Sequence, residues 1–172
     1  FFQIEGKNSK IKTNLFWNSL IKFLGNKGTL IVPSFTYSIG RNKIYNLEKS
    51  KSKIGQFSED FRKTFPVHRT SDPIFSICSL GKEKDKIKKL QYNNSFGKRS
   101  IFGYLYTNNV KIICLGCELE VVTFLHYVEQ VLNVPYRKFK FFDTYIKYKE
   151  KKIIEKKINF FSRLDEKKYK YN

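Results

Sequence analysis

This chain of 172 residues has no methionine, four prolines, three cysteines, two histidines and a single tryptophan. Lacking even an initiator methionine, it is expected to be part of a longer chain, or one from which modified methionines have dropped out. Three cysteines is an odd number, and two of them share one apolar run. That argues against a secreted disulfide framework and for a reducing cytoplasm. No apolar run is long enough to cross a bilayer. The opening residues, Phe1 to Lys7, lack the basic start and apolar core of a signal peptide. Neither a P-loop nor a G-x-G-x-x-G occurs, so a dinucleotide-binding Rossmann reading has no support. Acidic residues are scarce too, 15 against 34 lysines and arginines, for a net charge of +19. No basic helix, RNP-type aromatic strand or zinc-finger spacing accompanies that charge, so nucleic acid is a poor fit. Lysines spread over a solvated surface explain it, as would phosphates on a cofactor or a nucleotide-linked substrate.

What is present is a globular pattern, with 41% hydrophobic residues and a length suited to one domain over 1–172. Apolar spacing predicts a helix over residues 15–24, stopped by the glycines at 25 and 28. Residues 29–33 read as a short buried strand, and 34–38 as the loop at its carboxyl end, the edge where open α/β sheets bind ligands. Residues 40–53 read as an exposed loop. A short helix over 55–62, capped by Ser58 or an earlier residue, is ended by Phe65-Pro66. Residues 74–80 alternate as a strand, 82–90 form a charged helical surface, 95–100 a turn and 101–108 a helix. Residues 110–116 are the clearest buried strand, and 118–134 hold a helix stopped by Pro135. From 137 onward, 13 lysines and arginines face five acids, and the alternation around a polar turn predicts a basic β-hairpin extension. No internal repeat is visible. The succession predicts an α/β fold, a three-layer α/β/α sandwich around a central mixed sheet.

Thr123, His126 and Glu129 recur every three residues, which on a helix places them on one face. A hydroxyl, an imidazole and a carboxylate so placed are the parts needed to move an acyl group: a donor for developing charge, a proton acceptor and a group that orients it. Glu129 could instead pair with Arg137, and Thr123 could cap the helix. Arg69, Ser71 and Asp72 precede Pro73 in a second polar cluster, either a turn held by Asp72 or an anion clamp with Asp72 near the base. Glu59, three residues before Arg62, has the same two readings. Cys114 and Cys117 form a C-x-x-C, but a zinc site lacks further ligands beyond His126 and His68, and a redox pair belongs at a helix start. Buried packing is the expectation for both, with a Cys117–His126 nucleophile–base pair as an alternative.

The segments GTLIVPSFTYS, IGQFSEDFRKTFP, HRTSDPIFS, SICSLG, NNSFGKRS, VKIICLG and TFLHYVEQVLNVPYR follow one another in an order that resembles the aminoglycoside 3-N-acetyltransferase family, over about residues 15–137. The resemblance implies an N-acetyltransferase that uses acetyl-CoA and no metal. It matches His126 to the general base and Thr123 to the hydroxyl near the thioester carbonyl. Glu129 and Asp72 fall on acidic or polar positions of the site. Thr36, Arg69 and Ser71 fall in segments expected to line the CoA or acceptor cleft, and Glu59 is a candidate substrate contact. Two departures stand out. Many members have His before the proline where this chain has Asp72, and the family's first strand and final helical region have no counterpart here. The expected acceptor is a sugar amine. A nucleotide-linked amino sugar is favoured, because a polycationic drug suits a basic protein poorly. An aminoglycoside acceptor and a non-catalytic nucleic-acid-binding module are the alternatives.

Overall fold

The computed structural model describes residues 9–40, 43–90, 92–148 and 152–164, with side chains from residue 13 onward. Helix α1 (Ser9–Leu24) carries Phe16, Trp17, Leu20 and Ile21 on one face, the amphipathic spacing of a surface helix. Trp17 stacks on Phe57 and Phe61 of α2 (Gln56–Thr64), with ring centroids 4.2 and 4.7 Å apart. Gly25, at φ 61, ends α1 and returns its N–H to Ile21 O.

Strand β1 (Thr29–Pro33) pairs antiparallel with β4 (Ile77–Gly81), and β4 pairs with β3 (His68–Arg69). This sheet covers the Trp17, Val32, Phe61 and Cys78 core. A second sheet joins β2 (Ile44–Asn46), β5 (Arg137–Tyr148) and β6 (Lys152–Arg163) in the order β2-β5-β6. β5 and β6 pair antiparallel from Arg137↔Arg163 to Tyr148↔Lys152. A larger core, rich in aromatic rings, includes Phe75, Phe96, Phe102, Tyr127 and Phe161. It packs α3 (Lys84–Lys88) and α4 (Ile101–Thr107) against β6.

Several expectations need correction. The strands form two three-stranded sheets, where a single central mixed sheet was expected. Residues 110–116 form no strand, and Ile113 is 69% exposed. An apolar run becomes a strand only where a neighbour takes up its backbone hydrogen bonds; here Val110 N–H instead closes α4 by bonding to Leu105 O. Cys114 and Cys117, expected to be buried, are exposed for the same reason. The expected helix over 118–134 shrinks to a 3-10 turn at Leu119–Val121 and α5 (Leu125–Val131). The stretch 40–53 is not all exposed loop: it supplies β2, whose Tyr45 is fully buried and donates to Thr70 O at 2.7 Å. The cap of α2 is the earlier residue that the sequence allowed, Gly55 at φ 123, a conformation that favours glycine, and Ser58 lies inside the helix.

Candidate active site

The end of α5 explains how the site is assembled. Asn133 sits in the left-handed region at φ 48, and Val134 N–H bonds to Glu129 O at 3.2 Å. Pro135 cannot continue the helix, so the chain reverses and β5 begins at once. The reversal lays Tyr136 and Arg137 back against the residues one and two turns earlier. Tyr136 Oη donates to Glu129 Oε1 at 3.0 Å. Arg137 Nε lies 2.9 Å from Glu129 Oε2, an ion pair without hydrogen-bond alignment. Arg137 Nη1 is anchored on Phe161 O at 3.1 Å, which ties the cluster to β6.

His126 Nδ1 is 2.6 Å from Glu129 Oε2 and 2.9 Å from Arg137 Nη2. A guanidinium only donates, and a carboxylate only accepts. The shorter contact assigns the proton to Nδ1, pointing at Glu129, which leaves Nε2 with its lone pair. Nε2 makes no hydrogen bond among the described residues. The ring's edge packs on Phe96, centroids 5.5 Å apart, and its side chain is 35% exposed, against 19% for Glu129. Burial, with the charges of Arg137 and Arg163, pulls the imidazole below its usual range; Glu129 pulls the other way. Burial pushes Glu129 up, but the hydrogen bonds from His126 and Tyr136 and the Arg137 charge outweigh it, and the carboxyl is held below its usual range. The ring is therefore neutral near pH 7 beside an ionised carboxylate, the state in which an imidazole can accept a proton.

Thr123 sits in the turn before α5, where its carbonyl accepts from His126 N–H at 3.1 Å. The spacing read from the sequence survives although the helix starts later. Its half-buried hydroxyl makes no hydrogen bond among the described residues.

The second cluster stands apart. Asp72 is fully buried, and its Oδ1 accepts from Ile74 N–H at 2.7 Å and Phe75 N–H at 2.9 Å. It therefore holds the turn before β4 and makes no contact with His126; Phe75 and Phe96 link the two by ring packing. Arg69 spends its donors inside the protein, on Ser34 Oγ, Ser34 O, Leu47 O and Ser50 O. It is thus a brace between loops, not an open anion clamp. Thr36 Oγ1 donates to Pro73 O at 2.7 Å. Ser71 is half-buried beside them. Glu59 is clamped by Arg62 through two bonds of 2.8 and 2.7 Å and accepts from Ser52 N–H. Tyr136 is the participant the sequence did not single out. Its only signal is its place directly after the helix-stopping proline. Arg137 was read as a rival for Glu129, and it is a neighbour of both Glu129 and His126.

A cleft of about 370 Å³ lies on α3 and α4, lined by Lys89, Lys98, Arg99 and Tyr104 among others. None of its lining residues belongs to the His126–Glu129–Arg137 cluster.

Comparison with known proteins bears on this arrangement. No curated protein matches the sequence. Among solved structures, the chain is similar to the YokD protein from Bacillus subtilis (22% identity, TM-score 0.72, 90% of this chain and 64% of that one). It is also similar to the aminoglycoside acetyltransferase AAC(3)-Xa (16%, 0.76, 93% and 62%) and to AAC-IIIb solved with CoASH (18%, 0.75, 87% and 63%). The chain thus spans a little under two thirds of the length of these structures. At such identities the likeness speaks for the fold. The family model for aminoglycoside 3-N-acetyltransferases, however, matches residues 4–169, nearly the whole chain. This chain belongs to the aminoglycoside 3-N-acetyltransferase family.

Proposed function

We propose that the chain carries the reacting side chains of an acetyl-CoA-dependent N-acetyltransferase acting on a sugar amine. The observation that carries this reading is the His126–Glu129 pair at 2.6 Å with the outer ring nitrogen unbonded among the described residues. Glu129 fixes the imidazole with Nδ1 protonated. Nε2 then removes the proton from the attacking amine as its nitrogen bonds to the thioester carbonyl carbon. Holding amine and thioester side by side replaces a bimolecular encounter by a positioned one. The Thr123 hydroxyl donates to the oxygen that gains negative charge; one such donor is worth about 3 kcal/mol. When the carbon–sulfur bond breaks, the imidazolium returns its proton to the thiolate, and the ring is restored. In this reading Asp72, Arg69, Thr36 and Ser71 shape the loop at the edge of β1 and β4 and do not take part in the proton transfer.

The residues present suit a phosphate-bearing thioester. The His126 ring is reachable from solvent, and a separate cleft lined by Lys89 and Lys98 presents positive charge that suits phosphates. The neighbour solved with CoASH and another solved with sisomicin support a thioester donor and an amine acceptor. The net charge of +19 favours an anionic acceptor, such as a nucleotide-linked amino sugar, over a polycationic aminoglycoside. A three-layer sandwich in the full-length fold and a cytoplasmic location belong to the same proposal.

The test is thiol release from acetyl-CoA with a panel of amines. A nucleotide-linked amino sugar is expected to be turned over faster than sisomicin; a preference for the drug overturns the acceptor assignment. His126→Asn is expected to lower turnover by about a hundredfold or more with the far-UV spectrum unchanged. Near-normal rates would refute the base.

A further inference from the structure

We propose that Arg137 is a positioning residue: its guanidinium pins Glu129 and shields the His126 ring from the full charge of that carboxylate. The inference rests on the reading of His126 as the base. A bare carboxylate 2.6 Å from an imidazole favours the imidazolium. An imidazolium has no lone pair to offer, so the contact that orients the ring also tends to disarm it. Arg137 relieves that conflict by geometry. Its Nε is 2.9 Å from the very oxygen that faces the ring, and its Nη2 is 2.9 Å from Nδ1 itself. The cation therefore sits against both partners, so that Glu129 still accepts from Nδ1 while its field at the ring is offset.

The placement is rigid. Arg137 is buried, is the first residue of β5, and is fastened by Nη1 to Phe161 O on β6. Its register partner is Arg163, a second cation that bears on the ring from the neighbouring strand. The groups that bear on the imidazole are thus Glu129 on α5, Arg137 on β5 and Arg163 on β6, with the uncharged ring of Phe96 packed against it. Only Glu129 among them favours the protonated ring. Tyr136 acts on Glu129 from the far oxygen and helps hold it in place.

The chain has only two histidines, so the ring is easy to follow. Proton NMR of the full chain in a His68→Asn background reads the titration of His126 alone. Arg137→Gln is expected to raise its midpoint by about one pH unit, the size of effect that a single close charge produces. Arg137→Lys, which keeps the charge, is expected to stay near the wild-type midpoint. Glu129→Gln gives the opposite arm: with the carboxylate gone and the cations unopposed, the midpoint is expected to fall. An unchanged or lowered midpoint in Arg137→Gln overturns the proposal. Should that variant not fold, a rise in Glu129→Gln, or a shift of a unit in Arg137→Lys, overturns it in its place. The titration needs no substrate, so it judges Arg137 even if thiol release is never observed. Where thiol release is observed, the acid limb of kcat is expected to move to higher pH in Arg137→Gln with KM little changed.

Discussion

Replacing Asp72 with asparagine is expected to remove a specific pH dependence of folding. Burial raises the Asp72 carboxyl from its ordinary 3.8 to about 6, against the opposing effect of the hydrogen bonds from Phe75 and Ile74. A shift of roughly two units corresponds to about 3 kcal/mol between the two protonation states. Because the folded-state value is the higher one, the folded protein holds the proton more tightly than the unfolded chain. Its contribution is fully present below 3.8 and is lost as pH rises through about 6. The substituted asparagine keeps an oxygen for the two backbone N–H groups and cannot ionise. At low pH both proteins place one polar group at the partnerless Oδ2 position, so their stabilities are expected to be similar. Above about pH 7 the variant is expected to be more stable by up to about 3 kcal/mol. Urea unfolding followed by the fluorescence of Trp17, the sole tryptophan and 3% exposed, measures both across the range. The difference between the two curves isolates Asp72 from the other titrating groups. A difference that stays constant from pH 4 to pH 7.5 would refute the account of a carboxyl buried at a cost.

Glu59→Gln is expected to lower stability at neutral pH by about 1–3 kcal/mol, because it breaks the clamp with the largely buried Arg62. The Arg62 hydrogen bond is the main cause that holds Glu59 near 2, so its contribution is present above 4.5 and fades as pH falls toward 2; thermal melts at several pH values check both. Gly103→Ala drives a methyl into the Lys98 carbonyl and is expected to cost at least about 2 kcal/mol in urea unfolding, despite alanine's higher helix propensity. Cys114 and Cys117 are expected to react with an aromatic disulfide in the native protein, and the fully buried Cys78 only after unfolding. Two fast equivalents followed by one slow one is the result that agrees.

The sequence made the local elements legible where one signal dominated. Gly25 closes α1, Thr29–Pro33 is a strand, and a helix, α4, starts at Ile101. It also placed Thr123, His126 and Glu129 at successive three-residue steps, a spacing that survives a late helix start. What it could not supply was pairing between distant segments. Tyr45 sits in a stretch that reads as polar loop, yet β5 lies parallel to it a hundred residues later. Residues 110–116 have strand composition but pair with no strand among the described residues. Asp72 and Arg69 looked available because turn residues are usually wet, and long-range burial turned both into internal braces. Arg137 was ambiguous for a related reason: periodicity tells which residues share a face, not which strand folds back onto it.

The exposed apolar side chains at 110–121 bear on how the molecule behaves in a concentrated solution. Ile112, Ile113, Leu119 and Val121 are exposed along this segment. Lys111 is the one charge that interrupts its first half, a lone gatekeeper. Turbidity in this protein should therefore grow with concentration and with salt, as screening removes the mutual repulsion of its many lysines, and a second lysine in place of Ile113 should be the simplest remedy.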